Sequence, residues 1–210
     1  ENLFEAQYDV TKKTKLRRFY ESNKILIFSL IFVVAISVVS LAIISSIKEK
    51  KKILIGEKYI TAKIYVNDGQ FKKGREALKS IIQEDDETYS VLAFYLILNE
   101  NLVTEKNELI NLFDHILKNK KISNGQKKLL IFKKGLFQSN FVNETELLNT
   151  LKPVINSENI WRPHALLLLG DFFASKKQYL KAREFYTQVL SLKNLNNDIY
   201  NQAKSQLIYI

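Results

Sequence analysis

The sequence of 210 residues has no cysteine, two prolines, two histidines and one tryptophan. The absence of cysteine excludes disulfides, thiol catalysis and cysteine-ligated zinc. The two histidines, His115 and His164, fall in different predicted helical hairpins, so a histidine metal site or a Ser-His-Asp triad is not expected. Neither a G-x-x-x-x-G-K-[ST] loop nor a G-x-G-x-x-G loop occurs. We therefore predict a protein that is not an enzyme and has no catalytic residue, metal ion or cofactor.

Positive charge is in excess, with 32 Lys+Arg against 22 Asp+Glu. Most of these basic residues are spread among acidic ones, which is typical of a solvated face. Basic clusters occur at Lys48 to Lys52, Lys118 to Lys121 and Lys127-Lys128, and their neighbours are mostly aliphatic. A nucleic-acid interface would need interleaved aromatic residues on the same face, so no nucleic-acid partner is expected. A basic membrane-surface or nucleic-acid adaptor is kept as the alternative function.

The acidic run Glu84 to Glu87 lacks the ligand spacing and turn glycine of a calcium-binding loop.

The longest uncharged stretch runs from Ile25 to Ile47 and holds 16 Ile, Leu, Val or Phe residues among its 23. As a helix it would be about 34 Å long, enough to cross a hydrocarbon core of about 30 Å. Its five serines can hydrogen-bond to the carbonyl groups of their own helix, so they do not forbid insertion. A cleavable signal peptide would have a shorter apolar region, of about 7–15 residues. We predict a transmembrane anchor over 25–47 that binds the lipid bilayer.

The anchor divides the chain into a basic tail, 1–24, and a larger body, 48–210. Within the tail, Tyr8 to Tyr20 is either a short helix on the membrane surface or a frayed segment. Six basic residues flank the anchor on the N-terminal side and five on the C-terminal side, so charge alone does not decide the orientation. Whether 48–58 continues the anchor helix is also left open.

The body has helix-length segments with a 3.6-residue apolar period and no convincing strand, which predicts an all-α fold. Asn67-Asp68-Gly69 is interpreted as a turn between two helices because FKKGREALKSIIQ after it has helical periodicity. Pro153 falls near the predicted end of one helix, and Pro163 near the start of another. Pairs of helices spaced 30–40 residues apart predict an α-solenoid of antiparallel hairpins.

The clearest hairpin is ALLLLGDFFASKKQYLKAREFYTQVLSL, residues 165–192. Its pattern resembles a tetratricopeptide repeat (TPR), with small residues at Gly170 and Ala182 for close helix approach and large residues around them. The packing positions are Leu166, Leu169, Gly170, Phe173, Tyr179, Ala182 and Tyr186. Residues 55–83, 93–117 and 126–155 match with decreasing quality, and we interpret them as degenerate TPR-like hairpins.

The chain has a short basic tail, then one anchor, then degenerate TPRs. Thr88-Tyr89 opens a helix that leads to Lys106 to Leu109, and Trp161 lies nine residues before Gly170. This order of parts resembles the YfgM-like family. The resemblance implies an ancillary subunit of the SecYEG translocon in the bacterial inner membrane. It also implies a single-pass topology with a cytoplasmic N-terminus and a periplasmic C-terminal domain. The implied partners are the translocon, the membrane-anchored periplasmic chaperone PpiD and emerging secretory proteins.

In tetratricopeptide repeats the first helix of each pair lines the concave surface. On that resemblance, a groove for partner proteins is predicted at Tyr59, Lys63, Ile97, Asn101, Leu167 and Asp171. Its mixed apolar and polar lining suits adaptable peptide contacts better than capture of a small molecule.

Overall fold

The computed structural model describes residues 15–210, and this part of the chain is α-helical without a β-strand. The prediction of an all-α fold is confirmed. The helices in order are α1 (Lys15–Asn67), α2 (Phe71–Gln83), α3 (Tyr89–Asn99), α4 (Lys106–Lys118), α5 (Asn124–Gln138), α6 (Glu144–Ile155), α7 (Arg162–Ser175), α8 (Tyr179–Leu190) and α9 (Asn197–Tyr209).

The long helix α1 contains the apolar run 25–47, whose side chains are almost all exposed. Its most apolar window has a mean hydropathy of 3.0 and no buried residue, so the helix is long and apolar enough to cross a membrane. Two of its serines donate to carbonyl groups one turn earlier, Ser29 to Leu26 (2.9 Å) and Ser37 to Val33 (2.8 Å). These bonds satisfy the hydroxyl groups within the helix itself.

The structure shows whether residues 48–58 continue the anchor helix, which the sequence left open. Residues 48–58 belong to α1, which ends at Asn67. The predicted surface helix from Tyr8 to Tyr20 lies partly outside the described residues, and from Lys15 onward the chain is part of α1. The chain divides into two compact units, of which the first ends at Leu54 and the second spans Ile55–Ile210.

The turns and helix starts follow local sequence signals. Gly69 has a φ of +74°, a conformation that glycine adopts without strain, and it lies in the turn between α1 and α2. At the start of α5, Ser123 and Gln126 form a reciprocal capping box. The side chain of Asn143 likewise accepts the backbone N–H of Glu146 at the start of α6. These caps explain why the helices begin where they do.

The second unit is held together by two apolar clusters. The first cluster extends from Ile55 to Leu130 and is built mainly by α2, α3 and α4 with the end of α1. The second extends from Leu147 to Ala203 and is built by α6, α7, α8 and α9. Helix α5 contributes to both, because Leu130 belongs to the first cluster while Phe132 packs against the second.

Candidate functional site

The hairpin of α7 and α8 is closely packed at one glycine. A Cβ atom added to Gly170 would lie 2.6 Å from Cδ1 of Tyr186, so no larger side chain fits there without displacing that ring. Gly170, Ala182 and Tyr186 are all buried, and they are spaced by 12 and then by 4 residues. We use this spacing of buried residues to describe the packing register of the two helices.

Two other hairpins have the same spacing of buried residues. In α1 and α2 the three positions are Ala62, Gly74 and Leu78; in α5 and α6 they are Gly135, Leu147 and Leu151. An added Cβ would lie 2.6 Å from Val66 Cγ2 at Gly74, and 2.8 Å from Leu151 Cγ at Gly135. Three hairpins therefore share one packing register.

Ala62, Gly135 and Gly170 occupy the same position of this register, each on the first helix of its pair. The residues three before and one after each of them are therefore at equivalent positions. We call these positions the first-helix surface: Tyr59, Lys63, Phe132, Leu136, Leu167 and Asp171. The side chain of Leu136 is 50% exposed, and Lys63 is also exposed. Tyr59, Phe132 and Asp171 are half-buried. Sequence reasoning missed Phe132 and Leu136, although Gly135 lies 35 residues before Gly170 and carried the signal.

Aromatic contacts join the neighbouring first helices of the second unit. The rings of Tyr59 on α1 and Tyr89 on α3 are 6.0 Å apart. The ammonium group of Lys133 on α5 lies 5.6 Å from the ring centre of Tyr95 on α3. These two side-chain contacts link α1 to α3 and α3 to α5.

Aromatic contacts also link α5 to the start of α7. Phe132 stacks on Trp161 at 5.9 Å and 13°, and its ring centre is 5.8 Å from that of His164. His164 is thus part of an aromatic contact between hairpins. Among the described residues no group of three His, Cys, Asp or Glu is arranged to hold a metal ion.

The second predicted pair requires a correction. Ile97 is fully buried in the first cluster, and Asn101 lies beyond the end of α3 with a φ of +49°. Neither is placed as the predicted groove requires. The physical reason is that α3 is apolar on most of its faces and packs chiefly on α2 instead of α4.

Two more predicted residues differ in exposure from what was expected. Leu167 is only 7% exposed, so it contributes to the core more than to any accessible surface. Tyr179 was expected to fill the helix contact, but it is 48% exposed. It is the first residue of α8, where a side chain leans back over the preceding turn and away from the contact. The equivalent Phe71 begins α2 and is 55% exposed.

The remaining predicted packing residues are buried. They are Leu166, Leu169, Gly170, Phe173, Ala182 and Tyr186.

One hydrogen bond joins a residue of the first-helix surface to a buried residue of the core. The hydroxyl of Tyr186 donates to Oδ1 of Asp171 at 2.7 Å. Burial raises the pKa of the Asp171 carboxyl, and this hydrogen bond partly opposes that rise. Burial, followed by the bond to Asp171, raises the pKa of the Tyr186 phenol well above its usual value. Asp171 is therefore held in place by Tyr186.

Replacing Tyr186 with phenylalanine tests this contact through its pH dependence. At pH 7 the loss of the hydrogen bond should lower the free energy of unfolding by about 1 kcal/mol. Because the folded pKa of Tyr186 is raised, only the unfolded chain ionises this tyrosine above its usual pKa of about 10. The wild type should therefore lose stability relative to the variant between pH 10 and 11. Urea unfolding at pH 7, 10 and 11 measures this, and a difference that stays constant with pH would contradict it.

A cleft that sequence reasoning missed lies at one end of α7. It has a volume of about 950 Å³ and lies between the loop before α7 and the segment joining α8 to α9. Its walls combine apolar groups such as Ile160, Leu195 and Ile199 with charged groups of both signs, including Arg162 and Asp198. The cleft is formed by two loops that lack helical periodicity, so no pattern in the sequence indicated it.

No protein-family model, curated protein or solved structure matches this chain. The resemblance to the YfgM-like family therefore stays a prediction that rests on the order of the parts.

Proposed function

We propose that this chain is a membrane-anchored interaction protein whose helical body is a short array of TPR-like hairpins. The single observation that supports this proposal most is the packing register shared by three hairpins, each with a small residue at the helix contact. Repeats that share one register stack into extended surfaces, and such surfaces typically bind other proteins. The apolar run 25–47 anchors the body to a bilayer.

The first-helix surface suits a protein partner. It combines an exposed leucine, a lysine and a half-buried carboxylate, Leu136, Lys63 and Asp171. Such a set of side chains offers an apolar contact and charges of both signs, which fits an extended or helical peptide better than a small molecule. The half-buried aromatic side chains of Tyr59 and Phe132 add contact area of the kind that is enriched at protein interfaces.

The partners and the location follow from the resemblance alone and are part of the proposal. They are the SecYEG translocon, a membrane-anchored periplasmic chaperone and emerging secretory chains, with the N-terminus in the cytoplasm and the body in the periplasm. Tethering beside a translocation channel would give the surface an effective concentration on the order of millimolar for an emerging chain. Weak intrinsic binding would then be sufficient.

Site-specific photo-crosslinking in bacterial cells tests this function. A photoreactive amino acid replaces Lys63 or Leu136, both exposed on first helices, and Glu184, which is exposed on the second helix α8, serves as the control. We expect crosslinks to a translocon subunit, a chaperone or a secretory chain at Lys63 and Leu136, at least about fivefold above those at Glu184. Equal yields at all three positions would refute binding by the first-helix surface.

A further inference from the structure

A dense group of lysines follows the apolar run of α1 directly. Lys48, Lys50, Lys51 and Lys52 lie within five residues, together with Glu49, and all five are exposed. At about 1.5 Å rise per residue they occupy a band roughly 6 Å high along the helix axis. The last apolar residue before the band, Ile47, is 61% exposed. The change from apolar to cationic surface is therefore abrupt.

The lysines surround most of the helix at this level. With about 100° between successive residues, Lys48, Lys51 and Lys52 cover one side and Lys50 lies roughly opposite. The remaining gap in the circumference holds Glu49. We call Lys48, Lys50, Lys51 and Lys52 the lysine collar. A collar of this kind presents positive charge on two opposite sides of the helix, with Glu49 on the side between them.

We infer that the lysine collar binds the phosphate groups of anionic phospholipids in the leaflet where the apolar run ends. This inference rests on the proposed membrane anchor. If 25–47 crosses the hydrocarbon core, the collar lies at the level of the headgroups in that leaflet. Lysine side chains extend their ammonium groups toward headgroups while their methylene chains stay on apolar surface. Juxtamembrane clusters of four or more basic residues attract anionic lipid in this way.

The other end of the run carries its basic residues more sparsely and among aromatic ones. There Arg17, Arg18 and Lys24 are spread over eight residues, the guanidinium of Arg17 is 3.4 Å from Glu21, and the aromatic side chains Phe19 and Tyr20 are exposed. Aromatic residues at a membrane interface anchor the helix without selecting lipid charge. The collar has no aromatic residue within it, so its recognition of lipid depends on charge.

Spin-labelled lipids measure the selectivity directly. The full chain is reconstituted in phosphatidylcholine vesicles with a trace of spin-labelled phosphatidylglycerol or spin-labelled phosphatidylcholine, and the motionally restricted fraction of each label is compared. At low salt we expect the wild type to prefer phosphatidylglycerol about fivefold. In 1 M salt, where the Debye length is about 3 Å, the preference should largely disappear.

Two variants separate the collar from net charge. Replacing all four collar lysines with glutamine should reduce the preference to less than about twofold, while replacing them with arginine should retain it. A matched control replaces four exposed lysines of the body with glutamine, Lys72, Lys118, Lys120 and Lys204, and should leave the preference unchanged. A preference of one in the wild type, or an equal loss in the control, overturns the inference. If the chain fails to co-float with the vesicles at all, the anchor itself is refuted and the collar with it.

Discussion

Replacing Gly170 with leucine is expected to lower the free energy of unfolding of the helical body by more than about 2 kcal/mol. A single added Cβ already lies 2.6 Å from Cδ1 of Tyr186, and leucine adds three more carbon atoms beyond that Cβ. Tyr186 is fully buried and bonded to Asp171, so its ring has no free space to enter. The close contact between α7 and α8 must therefore open. Thermal and urea unfolding followed by circular dichroism measure the loss.

Gly125 provides the matched control for this substitution. It also lies in a helix, the first turn of α5, but a Cβ added there meets nothing within 4 Å. Gly125→Leu should change the free energy of unfolding by less than about 0.5 kcal/mol, as should the surface substitution Lys176→Leu. Equal unfolding midpoints for Gly170→Leu and the two controls would show that α7 and α8 are not packed through Gly170.

The hairpin of α7 and α8 could be predicted from sequence because both of its small residues are present. Gly170 and Ala182 mark the two sides of the contact, and a turn separates the helices. In α5 and α6 the position equivalent to Ala182 is Leu147, which is fully buried. In this hairpin the close contact is made by Gly135 alone, against the side chain of Leu151. A small residue on one helix is enough for the contact, so a pattern that requires both will miss it.

Helix α3 shows a different limit. Its sequence, YSVLAFYLILN, has apolar residues on most faces, so periodicity does not tell which face is buried. The structure buries Val91, Phe94 and Ile97, and leaves Leu92 39% exposed. Which face of α3 is buried is decided by contacts with distant residues, such as the ring contact of Phe94 with Phe113 at 4.6 Å. Such pairings are not encoded in the local pattern.

The first-helix surface could be predicted only where the register was recognised. Tyr59, Lys63 and Asp171 lie on it because Ala62 and Gly170 are the small buried residues of their hairpins. Ile97 and Asn101 were placed by a register that α3 does not follow. The cleft beside α7 depends on how two loops approach each other, and loop geometry of this kind cannot be derived from the spacing of apolar residues.

Two arginines in the middle of the apolar run should abolish membrane insertion. Val34 and Val38 are 54% and 61% exposed, near the centre of 25–47. Each Val→Arg substitution costs about 2.5–3.5 kcal/mol at the centre of a membrane helix, so the pair offsets most of the insertion energy of the run. As a control, Leu180→Arg with Thr187→Arg adds the same charge to an exposed face of α8. The first pair should move the protein out of the membrane fraction, and the control pair should not.

A single reporter cysteine tests most directly the central claim that α1 anchors the body across a membrane. The chain has no cysteine, and Ser191 is exposed at the end of α8, so Ser191→Cys gives one reactive thiol on the body. With the native anchor, the protein should sediment with membranes, and an impermeant maleimide should label the thiol in intact spheroplasts. With Val34→Arg and Val38→Arg added, the protein should be soluble and the thiol protected until the cells are lysed. Protection of the thiol with the native anchor would contradict the proposed orientation, and unchanged sedimentation of the arginine variant would contradict the anchor.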